Sequence, residues 1–178
     1  MNILALDLSL TATGICHPDG STGTFKTGKL RGMERLLRIR DTVSERIEMP
    51  GTVQCTDLVV IEGYSYGSKG RAAVSLGELG GIVRMFLWEW GTPYVEIPPS
   101  CLKKYLCGKG NAGKDDVLQQ AVMRSGRVFG DNNQADAWVM WQMALAHYTP
   151  DSPLLVPMPA AHRTALDKIE WTELEGAA

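Results

Sequence analysis

The chain has 178 residues, 44% of them apolar, and a formal net charge of −2 at pH 7. That length accommodates one domain with a full core, and the near-neutral balance excludes a globally basic nucleic-acid binder, so DNA or RNA contact needs a local patch. No apolar run is long enough to cross a bilayer and no signal-peptide pattern opens the chain, so the expected location is the cytoplasm, with no membrane partner.

Residues 3–8 form a nearly continuous apolar run, the pattern of a strand covered on both faces, and Asp7 interrupts it. An ionised carboxylate there is costly unless a cation or donor compensates it. A turn-capping role for Asp7 and a metal-binding or catalytic one are about equally compatible with the local sequence. Small polar residues then lead into a second β-prone piece at 12–16, and residues 23–27 read as a third strand after Pro18-Asp19-Gly20, so an antiparallel meander is expected. Residues 33–48 have helical spacing of Met33, Leu36, Leu37, Val43 and Ile47, stopped by Pro50-Gly51.

Residues 57–62 repeat the first signal: four apolar residues, then Glu62. Two adjacent parallel strands each delivering an acid near the C-terminal end would place both at one crevice. The loop that follows carries Tyr64, Tyr66, Lys69 and Arg71. That composition suits stacking on bases and touching phosphates, and equally an ordinary glycine-rich surface loop. Residues 72–90 read as a long helix in which Gly77, Gly80 and Gly81 lower propensity, which implies close backbone approach to the sheet or to a second copy of the chain. Residues 94–97 form a further parallel strand, stopped by Pro98-Pro99.

The most basic stretch comes next, with Lys103, Lys104, Lys109, Lys114 and Arg124 against Asp115 and Asp116. Its glycine-rich part, 108–114, opens a helix and offers phosphate-binding amides, although Asp115 after Lys114 breaks the Walker A order. A solubilising lysine-rich loop is the alternative. Asp131 or Asn132 then caps a helix to about residue 147, in which Asn133 and Asp136 share a face and Asp136 sits among apolar positions. In residues 149–178, four prolines make a stiff linker and 160–174 carry helical periodicity. Arg163 and Lys168 against Asp151, Asp167, Glu170, Glu173 and Glu175 leave this tail at −3, so the body before it is slightly basic. Cys16, Cys55, Cys101 and Cys107 lack C-x-x-C spacing and read as reduced thiols.

Taken in order, Leu6-Asp7-Leu8-Ser9 through Thr13-Gly14, Val60-Ile61-Glu62-Gly63, Ile97-Pro98-Pro99 through Leu102-Lys103, Gly108 to Lys114 and Asn133 to Ala137 resemble the RuvC family of Holliday-junction resolvases, in its phage-type branch. The resemblance implies an α/β ribonuclease-H-like fold, a mixed five-stranded sheet flanked by helices, over residues 1–148, with 149–178 a Pro-rich linker and C-terminal helix. It implies that Asp7, Glu62 and Asp136 bind two Mg²⁺ per active site (Mn²⁺ substituting), with Asn133 or Asp131 completing the set. Lys114 and one of Lys103 and Lys104 match basic residues near the scissile phosphate, Tyr64 and Tyr66 an aromatic inserted at the junction centre, and the helix from residue 72 a homodimer contact. The implied partner is branched DNA. Two alternatives stand beside this reading: a non-catalytic junction-binding module, and an actin-like-fold nucleotide phosphotransferase, which needs a second copy of the fold.

Overall fold

The computed structural model describes residues 1–47, 56–64 and 71–174. The meander is present as β1 (Ile3–Asp7), β2 (Ala12–Cys16) and β3 (Thr22–Lys26), paired antiparallel in sequence order. Helix α1 (Gly32–Ile47) precedes β4 (Leu58–Glu62), which lies parallel to β1; α2 (Arg71–Glu89) then crosses to β5 (Tyr94–Ile97), parallel to β4. The resulting sheet has the order β3-β2-β1-β4-β5. Three helices follow, α3 (Pro99–Cys107), α4 (Lys114–Ser125) and α5 (Asn132–Tyr148).

Helix α3 is one more than the sequence pattern predicts. Pro98-Pro99 ends β5 as expected, but Pro99 also occupies the first turn of a helix, where a missing N–H costs nothing. Cys101, Leu102, Tyr105 and Leu106 give that helix its buried face.

Strand alternation sorts the core into two layers. Ile3, Ala5, Leu58, Val60, Val95 and Ile97 meet α3, α4 and α5 on one face. Leu4, Leu6, Val59 and Ile61 meet α1 and α2 on the other. The first layer is the heavier, with Trp138, Trp141 and Tyr105 almost wholly buried.

Residues 149–174 fold back on this heavier layer. The helix expected over 160–174 is realised only as α6 (Ala160–Arg163) and a single 3-10 turn at Leu166–Lys168. Packing of individual side chains replaces it: Met158, Ala165 and Ile169 enter the core, and Trp171 stacks on His147 with ring centroids 4.2 Å apart. The Gln142 amide donates to the Leu154 carbonyl while its oxygen accepts from the Val156 amide, and the Thr172 hydroxyl donates to the Tyr94 carbonyl on β5. Among the described residues no helix is long and apolar enough to cross a membrane.

Candidate active site

Strand register brings the first two acids together. Leu6 of β1 stands opposite Ile61 of β4, so Asp7 and Glu62 occupy the next rung of the same parallel pair. Each shares its strand's parity with residues facing α5, namely Ile3 and Ala5 for Asp7, and Leu58 and Val60 for Glu62. Both carboxylates therefore leave the C-terminal rim on the side where α5 crosses.

Helix α5 supplies the third acid, and Gly14 sets how near it comes. Gly14 is paired with Asp7 across β1 and β2, and a Cβ there would fall on the carbonyl of Asn133 in the first turn of α5. The missing side chain lets the helix start directly over the strand ends. Asp136, flanked by buried Ala135 and Ala137, follows one turn later.

The two remaining predicted ligands, Asp131 and Asn133, have hydrogen-bond partners of their own. Asp131 is the N-cap of α5: one oxygen accepts from the Gln134 amide at 3.0 Å and the other from the Thr24 hydroxyl at 2.7 Å. Asn133 donates its side-chain amide to the Ala12 carbonyl at 2.7 Å, bracing α5 against β2. The structure therefore gathers Asp7, Glu62 and Asp136, and gives Asp131 and Asn133 structural partners.

Electrostatics register the convergence. Burial is the largest cause pushing the Asp7 carboxyl well above the usual carboxylate range, reinforced by the charges of Glu62 and Asp136. Asp7, only 7% exposed, shares a side-chain hydrogen bond with Glu62. Glu62 is also raised, by burial, while its bond to Asp7 and the charges of Lys103 and Lys114 pull it back. Asp136 is pushed up to about 7 by burial and by Glu62, against the pull of Lys114 and Lys103.

Lys103 on α3 and Lys114 at the start of α4 are thus the cations that face the acids. Lys109 is instead ion-paired to Asp116 at 3.5 Å. Asp116 also accepts from the Gly113 amide at the N-cap of α4, so this helix start is partly served by its own acid. Lys104 is half-buried on α3 and, among the described residues, makes no ion pair or side-chain hydrogen bond. Tyr66 and Lys69 lie outside the described residues, as does the Arg71 side chain.

Tyr64 is 45% exposed, with its hydroxyl and its ring both engaged. Its hydroxyl accepts from Arg84 Nη1 at 2.8 Å, and the Arg84 guanidinium lies 4.3 Å from the ring centroid. Arg84 also grips Glu96 of β5 through two bonds of 2.6 and 2.7 Å. Sequence reasoning passed over Arg84 and Glu96. The available signal was a lone arginine on the apolar C-terminal half of the α2 sequence and an acid in a strand twelve residues on.

The donor set suits a hard divalent cation, since carboxylate oxygens are what Mg²⁺ and Mn²⁺ take. Among the described residues no group of three His, Cys, Asp or Glu side chains is arranged to hold an ion as it stands.

Comparison with solved structures places the architecture first. Thermus thermophilus RuvC in complex with Holliday junction substrate aligns with a TM-score of 0.65 and 21% identity, covering 89% of this chain and 99% of that one. Thermus thermophilus RuvC alone gives 0.61 and 22%, covering 79% and 90%. The fold is therefore that of the ribonuclease-H-like class. No protein-family model matches. Among sequences, the crossover junction endodeoxyribonuclease RuvC of Anaeromyxobacter dehalogenans strain 2CP-1 is 30% identical over 144 residues, 81% of this chain and 74% of the relative. The chain belongs to the RuvC family of crossover junction endodeoxyribonucleases. A further RuvC, from Anaeromyxobacter sp. strain Fw109-5, is 35% identical over 104 residues, a match covering 58% of this chain and about half, 48%, of that relative.

Proposed function

We propose that this chain is a structure-selective endonuclease that nicks branched DNA, Holliday junctions above all, by metal-assisted phosphodiester hydrolysis in the cytoplasm. The observation that carries this reading is the meeting of Asp7, Glu62 and Asp136, from β1, β4 and α5, on one rim facing Lys103 and Lys114. Asp7, which feels the charges of both other acids, is the shared ligand, with Glu62 and Asp136 on either side. When bound, two Mg²⁺ supply Lewis acidity for the attacking water and the departing 3′ oxygen. Lys114 and Lys103 offset charge that builds on the phosphate in the transition state. Lys69, Arg71, Lys104 and Lys109 supply further DNA contacts, and Tyr66 is an aromatic for the junction centre. Residues 1–148 form the nuclease body, and 149–174 brace its heavier layer.

Two nicks need two sites, and α2 offers the surface for a second copy. Val74, Met85 and Trp88 are 64, 55 and 79% exposed. Gly77 and Gly81 complete a stripe at steps of three and four residues, and a Cβ at either would meet nothing. That spacing fits helix-against-helix pairing about a two-fold axis.

The test is nick mapping on a strand-labelled synthetic four-way junction in Mg²⁺ and Mn²⁺, wild type against Asp7→Asn. Paired symmetric nicks from wild type alone bear the reading out. A second reading, a junction-binding module without catalysis, draws on the absence of a ready three-ligand cluster among the described residues. It wins if the protein binds junctions and cuts none with either metal.

A further inference from the structure

We infer that Tyr64, Arg84 and Glu96 form a latch that positions Glu62, and that Tyr64 is a positioning residue rather than a DNA contact. The inference rests on the reading of Glu62 as an active-site acid. Glu62 is the last residue of β4, and Gly63 closes the ladder by donating its amide to the Ile97 carbonyl at 2.9 Å. Glu62 pairs with Ile97 at the last rung of β4 and β5, and it borders, together with Tyr64 and Arg84, a cavity of about 90 Å³ under the loop root. Tyr64 turns back over this cavity and is fastened twice: its hydroxyl accepts from Arg84 and donates to the Gly77 carbonyl at 3.3 Å, while its ring takes the guanidinium on its face.

Arg84 transmits the constraint to β5. Its side chain is only 15% exposed and forms a two-pronged, charge-assisted pair with Glu96. Glu96 stands opposite Ile61, one rung before Glu62. The latch thus ties the end of β4, the neighbouring β5 and the α2 helix within a residue of the acid.

Gly80 supplies independent support. A Cβ there would overlap both Arg84 Nη1 and the Tyr64 hydroxyl, so the helix carries a glycine where the latch crosses it. A base stacked on the ring face that Arg84 occupies would displace the guanidinium. A lysine at 84 cannot reproduce the fork on Glu96 and the planar stack on the ring at once.

The experiment compares wild type, Tyr64→Phe, Arg84→Lys, Glu96→Gln and Glu62→Gln. It measures single-turnover nicking of a four-way junction at saturating Mg²⁺, junction affinity in Ca²⁺, Mn²⁺ affinity by calorimetry, and Tm. Nicking is expected to fall about tenfold in Arg84→Lys and Glu96→Gln and about threefold in Tyr64→Phe, with junction affinity within about twofold of wild type. Mn²⁺ affinity weakens in step, and the Arg84→Lys/Glu96→Gln pair is no worse than the poorer single variant, as members of one unit behave. Nicking and Mn²⁺ affinity equal to wild type in the three latch variants, with Glu62→Gln inactive, overturn the latch alone. A loss of Tyr64→Phe that appears entirely as weakened junction affinity also overturns it, by returning Tyr64 to the DNA. Glu62→Gln nicking like wild type removes the underlying active-site reading instead.

Discussion

The two longest described helices, α5 and α2, flank the same sheet from opposite sides and are covered very differently. Helix α5 is buried without a break from Ala137 to Leu145, and the polar atoms of Gln142 are consumed by Leu154 and Val156. Its polar residues otherwise crowd the first turns, where Asp131 caps, Asn133 braces and Asp136 reaches the acids. Helix α2 buries Leu79, Val83, Phe86 and Leu87 but exposes Val74, Met85 and Trp88. The difference separates two jobs. A helix locked on all sides fixes a carboxylate to within the tolerance that chemistry demands, whereas a helix covered on one side keeps the face that the proposed pairing of two copies would use.

The sharpest break between the helices is chemical. Asp7→Asn, on the strand that α5 covers, is expected to lower nicking on the order of a thousandfold, while Trp88→Glu leaves the acids in place. Measured side by side on one junction, the two variants should lose activity for different reasons, the first with assembly intact and the second through loss of it.

Clearance gives the next largest contrast. Gly14→Ala drives a methyl into the Asn133 carbonyl and should cost about 3 kcal/mol in urea unfolding, at the upper end for overpacking. Gly77→Ala and Gly81→Ala meet open space, and the gain in helix propensity should raise stability of the single chain by up to about 1 kcal/mol. A weakening of self-association in the same two variants would sharpen the assignment of α2.

Proton linkage offers a third handle. Asp7, Glu62 and Asp136 all hold protons more tightly folded than unfolded, so their contribution favours the fold at low pH and is lost as pH rises. For Asp136 the window runs from the ordinary carboxylate value near 3.8 to about 7. Without divalent cation, Tm should fall across that window once other groups are accounted for, and Asp136→Asn should flatten the decline. The smallest effect on folding is expected from Trp88→Glu: stability within about 0.5 kcal/mol of wild type, as for an exposed position, but a smaller sedimentation coefficient.

Much of this was readable in the residues. Asp7 stood out because it interrupts an apolar strand run and Glu62 because it ends one, and strand alternation sends both toward the face that α5 covers. Asp136 was visible as an acid among apolar helix positions. Pro99 concealed α3, because a proline that stops a strand is equally suited to begin a helix. The periodicity of 160–174 misled for another reason: Trp171 donates its indole N–H to the Leu166 carbonyl and stacks on His147, so contacts with the body replace helical turns. The Arg84–Glu96 pair joins a helix to a strand, and no local pattern announces a long-range pair. Gly14 was quoted only as part of a motif; its use as clearance depends on Asn133, more than a hundred residues away.

The central claim is that three acids from separate elements act as one cation site. Calorimetric titration of the DNA-free protein with Mn²⁺ at pH 7.5, in two buffers of different ionisation enthalpy, tests it most directly. Saturable binding with net proton release in wild type, abolished in Asp7→Asn, is the predicted result. No binding by wild type at millimolar Mn²⁺, or the same isotherm from both proteins, would contradict it.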